Sequence, residues 1–217
     1  MIVGLSYGGC GEQMILNDRD RLIVWTVARL RLSLGRHIRA LCGFTGERAC
    51  DRRLRLLLNE GYLKRERMIY GVAGIYTVTA KGKREFDLSL SIGTPKLDQI
   101  KHDIAVADTV IYLVHSLNIN LSDIQTEKEL RHEQGFSNCR GHMPDLVYVN
   151  DSQTVCIEVE LSLKTKDRLL KNIKSNYLAY DIQMWVVPKD KSKIRDILKE
   201  AYNQYPNIEV IDLEGII

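Results

Sequence analysis

The segment of residues 46–59 most constrains the fold, because its apolar and basic side chains repeat with the period of an α-helix. The apolar residues recur at helical spacing: Cys50, Leu54, Leu57 and Leu58. Arginines recur on another side: Arg48, Arg52 and Arg55, with Arg53 beside them. We therefore predict an amphipathic helix that packs its apolar side on a core and exposes a row of arginines.

The segments around this helix change from helical to strand-like patterns along the chain. Asn17 is placed to cap the first helix, and Gly61 follows the arginine-rich one. The predicted order is a helix at 18–34, a short helix at 36–42, a turn at 43–46, the arginine-rich helix, strands at 62–69 and 75–79 around a bend at 70–74, and a helix opening at 81–86.

Three helices followed by a β-hairpin are the order of a winged helix-turn-helix. The stretch Gly-Tyr-Leu at 61–63 and the run at 76–83 resemble the strand and wing-exit signatures of bacterial winged-helix regulators. We therefore predict an α+β winged helix-turn-helix domain over residues 17–90, preceded by a flexible N-terminus over residues 1–16.

The charge of the chain is divided unevenly between its two parts. Residues 1–90 hold 16 lysines and arginines against 9 aspartates and glutamates, a net charge of +7, whereas residues 91–217 hold 15 against 19, a net charge of −4. A basic part that also has a helix-turn-helix pattern favours a nucleic-acid partner. We expect that partner to be double-stranded DNA.

The arginine-rich helix and the hairpin supply the expected contacts to DNA. We expect Arg48 and Arg52 to reach base edges, since a helix enters the major groove and arginine donates two hydrogen bonds to guanine. The other basic residues are expected to contact phosphates: Arg53, Arg55, Lys64, Arg65 and Arg67. The alternative is that the arginines form an ordinary solvated face and that the domain binds protein.

Cysteine content and hydropathy exclude other classes of protein. The 217 residues include five cysteines, an odd number without a C-x-x-C pair, so we expect no disulfide framework. Cys139 and His142 are the nearest approach to a metal-ligand spacing, and a closed zinc site needs about four ligands. No apolar run has the roughly 20 residues that a membrane span requires, and we expect a cytoplasmic protein with no membrane partner.

Residues 91–217 predict a second unit of different architecture. Residues 89–95 interrupt the periodicity and form the predicted linker. Beyond it the predicted order is a helix at 96–117, strands at 122–131, 145–149 and 154–161, a helix at 166–180, a strand at 182–187, a helix at 192–204 and a strand at 208–213. This order predicts an α/β domain.

Three carboxylates lie on two neighbouring predicted strands. Glu158 and Glu160 share one face of their strand because side chains alternate, and Asp145 begins the adjacent strand. Clustered carboxylates repel each other unless they bind a cation, and oxygen ligands suit Mg²⁺. We therefore expect a Mg²⁺ site at Asp145 and Glu158, whereas the binding of DNA itself is expected to require no cofactor.

The element order and these acidic residues resemble the PD-(D/E)xK nuclease superfamily. The resemblance implies that Asp145 and Glu158 hold the metal and that a lysine follows two positions after the second acid. Glu160 occupies that position here, and Lys164 or Lys166 beyond the strand is the nearest replacement. The candidate catalytic set is therefore Asp145, Glu158, Glu160 and Lys164.

A closer resemblance is to the replication-relaxation family of Gram-positive plasmids and mobile elements, which joins a winged helix to such a core. The stretches that carry it are KHDIAVAD (101–108), EKELR (127–131), MPD (143–145), EVELS (158–162) and residues 171–177. The resemblance implies a role in plasmid replication, DNA relaxation or transfer.

Several functions remain open from the sequence. We predict a duplex-DNA-binding accessory or regulatory factor that acts as a homodimer, since one winged helix reads only a short half-site. The alternatives are a Mg²⁺-dependent endonuclease, a transcriptional regulator with a nuclease-like dimerisation domain, and a protein-interaction module in which the carboxylates have no joint role. His102 is expected to be a polar helix residue, and Tyr177 and Tyr180 are expected to pack rather than react.

Overall fold

The computed structural model describes residues 15–135 and 142–216. The predicted flexible N-terminus, 1–16, lies almost entirely outside the described residues, as does Cys139 of the pair Cys139 and His142. The described chain is an α+β fold with one antiparallel and one mixed sheet. Within this part of the chain, the search for a helix with the length and apolar character of a membrane span found none.

The first half consists of three main helices and a small sheet. The elements are α1 (Asp18–Arg29), β1 (Ser33–Leu34), α2 (Gly35–Leu41), α3 (Glu47–Asn59), β2 (Leu63–Glu66), β3 (Ile75–Val78) and α4 (Ala80–Glu85). Asn17 caps α1, because its side chain accepts a hydrogen bond from the amide of Asp20 and its own amide donates one to the carboxylate of Asp20. The strands form an antiparallel sheet in the order β1-β3-β2.

The first helix is shorter than the sequence pattern predicted. We expected it to continue to residue 34, but α1 ends at Arg29 and Arg31 has a φ of +65°. Ser33 and Leu34 instead pair with Tyr76 and Ile75 of β3. The apolar residues of this segment therefore serve a strand, and the helical spacing that they share with α1 is coincidental.

The second half consists of helices around a larger sheet. The elements are α5 (Ile100–His115), a 3-10 turn (Leu121–Asp123), β4 (Gln125–Thr126), α6 (Glu127–Glu133), β5 (Leu146–Asn150), β6 (Gln153–Val159), α7 (Lys166–Ala179), β7 (Ile182–Val187), α8 (Ser192–Tyr202), β8 (Ile208–Asp212) and a 3-10 turn (Leu213–Gly215).

The strand predicted at 122–131 is wrong for most of its length. Only Gln125 and Thr126 pair with β5, and a helix begins at Glu127. The cause is a capping box, in which Thr126 accepts from the amide of Glu129 and Glu129 accepts from the amide of Thr126. These reciprocal bonds satisfy the first amides of α6 and favour a helix there.

Within the described residues, the larger sheet has five strands in the order β4-β5-β6-β7-β8. β4, β5 and β6 pair antiparallel, whereas β6, β7 and β8 pair parallel. Alternate residues of β7 enter different cores: Met184 and Val186 pack towards α5, and Trp185 and Val187 pack against α7 and α8. The sheet is therefore covered by helices on both faces.

The two halves of the chain pack directly on each other. Leu30 and Leu41 join the core that contains α5 and the larger sheet, and Ile100 joins a cluster with Leu34 and Ile75 of the first half. The buried side chain of Arg29 adds polar contacts, with its guanidinium donating to the carbonyls of Leu121 and Ile124 and to Glu129. Hydrophobic and charged contacts therefore both cross the boundary that we predicted near residue 90.

Candidate functional site

The outer side of α3 carries the predicted row of arginines. Cys50, Leu54 and Leu57 are each 2% exposed or less and point into the core of the first half. Arg48, Arg52 and Arg55 are exposed, and their spacing places them on the opposite side of the helix. Within residues 15–135 and 142–216, none of these three guanidinium groups forms an ion pair or a hydrogen bond. We call these three residues the arginine ridge.

Arg53 lies next to the ridge in sequence but has another role. Its Nε lies 2.5 Å from Oδ1 of Asp20, a second guanidinium nitrogen donates to Oδ2, and the same nitrogen lies 3.0 Å from the carbonyl oxygen of Ile15. Asp20 is fully buried, so this pair ties α3 to the start of α1. A phosphate contact by Arg53 would compete with this internal contact.

The hairpin of β2 and β3 carries the remaining predicted DNA contacts. Lys64 lies 3.1 Å from a carboxylate oxygen of Glu66, whereas Arg67 is exposed at the end of β2. The guanidinium of Arg65 lies 5.5 Å from the centre of the Tyr76 ring. A side chain at position 74 would collide with Arg65, so Gly74 permits this placement.

A groove connects the ridge to the hairpin. It lies between α2, α3 and β3, and its lining includes Arg39, Arg55 and Arg65. Glu47 lies 3.6 Å from Arg39 and neutralises part of that charge. The groove thus brings Arg55 of the ridge and Arg65 of the hairpin together, whereas Arg52 lines a separate groove with Arg19 and Phe44.

The second candidate site is the carboxylate cluster of Asp145, Glu158 and Glu160. Leu146 pairs with Ile157 across β5 and β6, which places Asp145 beside Glu158 as predicted. Oδ2 of Asp145 accepts a hydrogen bond of 2.8 Å from the amide of Val159. The same oxygen lies 3.2 Å from Nε2 of His102, on α5.

His102 contributes more than the polar helix residue expected from the sequence. Burial lowers the pKa of His102, but the carboxylates of Asp103 and Asp145 outweigh burial and raise it to about 10. The imidazole is therefore a cation at neutral pH and compensates the charge of Asp145.

Glu158 is almost fully buried and has two side-chain partners. Its Oε1 lies 2.5 Å from Nε2 of His142 and accepts a hydrogen bond of 2.9 Å from Nδ2 of Asn176 on α7. Burial raises the pKa of Glu158, and the contact with His142 opposes that effect. Neither His142 nor Asn176 had been singled out as a partner of Glu158. They lie 16 and 18 residues from Glu158 in the sequence, too far apart for a local sequence pattern to identify them.

The lysine position of the resembled nuclease motif lies at the edge of the cluster. Glu160 is partly buried, its amide donates to the carbonyl of Val186, and burial raises its pKa while Lys164 lowers it. Lys164 is exposed, and Lys166 pairs with Glu200 at 3.1 Å.

Tyr177 packs edge-on against Tyr205, with ring centres 5.2 Å apart.

The cluster does not fit a Mg²⁺ site as arranged. One oxygen of Asp145 and one of Glu158 are each engaged by protein donors, and each lies near a histidine nitrogen. Mg²⁺ requires near-ideal octahedral coordination by oxygen. Among the described residues there is no group of three or more histidine, cysteine, aspartate or glutamate side chains that could hold a metal ion.

Comparison with family models, with curated proteins and with solved structures found no match to the chain. The function is therefore inferred from the geometry and charge of the arginine ridge, the hairpin and the carboxylate cluster.

Proposed function

We propose that this chain binds duplex DNA and that its first half acts as a winged helix-turn-helix. In this proposal α3 is the recognition helix and the β2–β3 hairpin is the wing. The observation that carries the proposal is the arginine ridge: Arg48, Arg52 and Arg55 are exposed opposite the apolar side of α3 and are unpaired among the described residues. Charged side chains without internal partners are available to an anionic ligand.

The ridge suits the chemistry of the major groove. An α-helix fits this groove, and each arginine can donate two hydrogen bonds to O6 and N7 of guanine. Arg48 and Arg52 lie in the first half of α3, the part of a recognition helix that contacts base edges. Arg55, Arg65 and Arg67 would contact phosphates on either side, with Lys64 as a weaker contributor because of its pairing with Glu66.

The proposed role in the cell rests on the resemblance to the replication-relaxation family. We propose an accessory or regulatory factor in plasmid or mobile-element replication, relaxation or transfer. A PD-(D/E)xK-like second half would serve as a scaffold, and a homodimer would present two recognition helices to a two-fold site. Transcriptional regulation through the same dimer is the alternative role.

The experiment that tests the proposal is selection of bound sequences from a random pool of DNA duplexes. We expect the wild-type protein to enrich a guanine-containing motif, and a two-fold repeat of it if the protein acts as a dimer. Arg52→Ala should relax the preference at one position and cost about 1–3 kcal/mol of binding free energy. If the sequences bound by the wild-type protein show no enrichment over the starting pool, sequence-specific binding is rejected.

An endonuclease is the second candidate function, because Asp145 lies beside Glu158 as the nuclease resemblance implies. Against this function, Glu160 stands where the resembled motif has lysine, and histidines and Asn176 engage the two acids. We therefore expect weak or absent cleavage.

Incubation of supercoiled plasmid with the purified protein and Mg²⁺ or Mn²⁺ tests this second candidate. The Asp145→Ala and Glu158→Ala variants serve as controls. Robust nicking by the wild-type protein that disappears in both variants would establish the endonuclease. Nicking that survives in both variants would come from a contaminant.

A further inference from the structure

A cavity of about 550 Å³ lies where the two halves of the chain meet. Val27 and Val78 line it from the first half, residues 91–96 line it from the connecting segment, and Lys128 and Arg131 line it from α6. A volume of this size is in the range of pockets that bind small organic molecules, and such pockets are common between domains.

The charged lining of the cavity is mainly cationic. Arg31, Lys96, Lys128 and Arg131 are in the lining, whereas Asp103 is the one carboxylate among the described lining residues. Asp103 already lies 3.6 Å from Arg31 and 3.7 Å from His102. Glu127, beside the lining, pairs with Arg31 and with Arg131. Lys96 and Lys128 are therefore the lining cations that have no ion pair among the described residues.

Lys128 is the cation whose environment most favours an anionic ligand. Its Nζ lies 2.5 Å from the carbonyl oxygen of Ala28, and no carboxylate within the described ranges 15–135 and 142–216 forms an ion pair with it. Burial, followed by the charge of Arg31, lowers the pKa of Lys128 to about 8. A partly buried ammonium group with only a carbonyl partner gains most from a bound anion.

Apolar side chains form part of the remaining lining of the cavity, beside polar ones such as Ser91 and Gln99. Ile92, Pro95 and Met143 join Val27 and Val78 in the lining, so an apolar body would replace water there. The combination of apolar walls with a cationic end selects for molecules that have both an apolar and an anionic part.

We propose that this cavity binds an amphipathic organic anion, a small molecule whose apolar body lies against Val27, Ile92 and Met143 and whose carboxylate or sulfonate group contacts Lys128. This inference goes beyond the proposed binding of DNA and does not depend on it, because the arginine ridge is not part of the cavity lining.

Fluorescence titration of the full chain with anilinonaphthalene sulfonate tests the proposal, with the uncharged N-phenylnaphthylamine as the matched probe. We expect one saturable site for the sulfonate. Lys128→Met should weaken binding of the sulfonate roughly tenfold, the effect of one charge-assisted hydrogen bond. It should leave binding of the uncharged probe within about twofold. Lys171→Met, on the exposed side of α7, is the control for loss of one charge elsewhere.

A second variant keeps the test decisive if Lys128→Met does not fold. A Cβ at Gly93 would meet no atom within 4 Å, so Gly93→Trp adds bulk to the lining without a clash at the backbone. It should abolish binding of both probes, whereas Gly215→Trp, equally open and outside the cavity, should not. Equal affinity for the two probes, or sulfonate binding unchanged in Lys128→Met or Gly93→Trp, would overturn the proposal.

Discussion

Arg53 on α3 donates hydrogen bonds to both carboxylate oxygens of Asp20 on α1, and Asp20 is fully buried. Arg52, the preceding residue, is exposed and lacks any such partner among the described residues. Adjacent arginines on one helix therefore have separate roles: Arg53 holds two helices together, and Arg52 is available to a ligand.

This division predicts opposite effects of two neighbouring substitutions. Arg53→Ala leaves the buried carboxylate of Asp20 uncompensated and should lower the free energy of unfolding by about 3 kcal/mol. Arg52→Ala should change it by less than about 0.5 kcal/mol. Urea denaturation of both variants measures the difference. The double variant Asp20→Ala/Arg53→Ala is the control. Its loss in free energy of unfolding should be smaller than the sum of the losses in the two single variants. Equal stability of Arg52→Ala and Arg53→Ala would contradict the assignment.

A second charged contact predicts how stability depends on pH. Nδ1 of His37 accepts from the amide of Leu34, so Nε2 is the nitrogen that donates to Asp108, at 3.0 Å. Burial raises the pKa of Asp108, but the bonds from His37 and Arg36 outweigh it and hold the pKa below the ordinary value of 3.8. A lowered folded-state pKa stabilises the fold above the ordinary value, and this stabilisation is lost as pH falls through the folded-state pKa.

The Asp108→Asn variant tests this contribution. It should be less stable than the wild-type protein at pH 7, and the difference should narrow as the pH falls below about 4. Urea titrations at several pH values provide the comparison. A stability difference that stays constant down to pH 2 would show that ionisation of Asp108 does not stabilise the fold.

The connecting segment predicts the first site of proteolysis. Lys96 and Leu97 are exposed between α4 and α5, in a stretch without regular secondary structure. We expect trypsin to cut first after Lys96, and we expect the two fragments to remain associated because Arg29 and Leu30 pack into the second half. Intact-mass measurement and size-exclusion chromatography report the cut and the association. A first cut within residues 145–161, or immediate separation of the fragments, would contradict this map.

The hairpin predicts a measurable salt dependence of DNA binding. Arg67→Ala should reduce the slope of log affinity against log salt concentration by about 1, the effect of one phosphate contact. Lys64→Ala should reduce it less, because Lys64 already pairs with Glu66. Fluorescence anisotropy at several salt concentrations gives both slopes. Substitution of Lys171, exposed on α7 in the second half, is the control and should leave the slope unchanged.

Periodicity predicted the elements whose structure depends on local sequence. α3 begins and ends within one residue of the predicted range, because it buries one regularly repeating side. β7 coincides with its predicted range as a short, mainly apolar run that is buried on both faces. The predictions of where the first helix ends and of a strand at 122–131 were wrong. Pairing of Ser33 with Tyr76 and the capping contacts of Glu129 decide these segments, and neither is a feature of periodicity.

The candidate sites were predicted less completely. The adjacency of Asp145 and Glu158 followed from the prediction that they lie on neighbouring strands, and the register of β5 and β6 agrees with it. The partners His142 and Asn176 could not be inferred, because tertiary folding brings them to Glu158 from a loop and from α7. The pairing of Arg53 with Asp20 could not be inferred from the sequence for the same reason, since the two residues are 33 positions apart.

The most direct test of DNA binding compares two triple variants on a random-sequence duplex. One replaces the ridge, Arg48, Arg52 and Arg55, by alanine. The other replaces Arg168, Lys171 and Lys174, three exposed cations on α7, and removes the same charge. By fluorescence anisotropy at fixed salt, the ridge variant should bind at least about tenfold more weakly than the wild-type protein, and the α7 variant within about threefold of it. Equal losses in the two variants, or unchanged affinity in the ridge variant, would contradict the account.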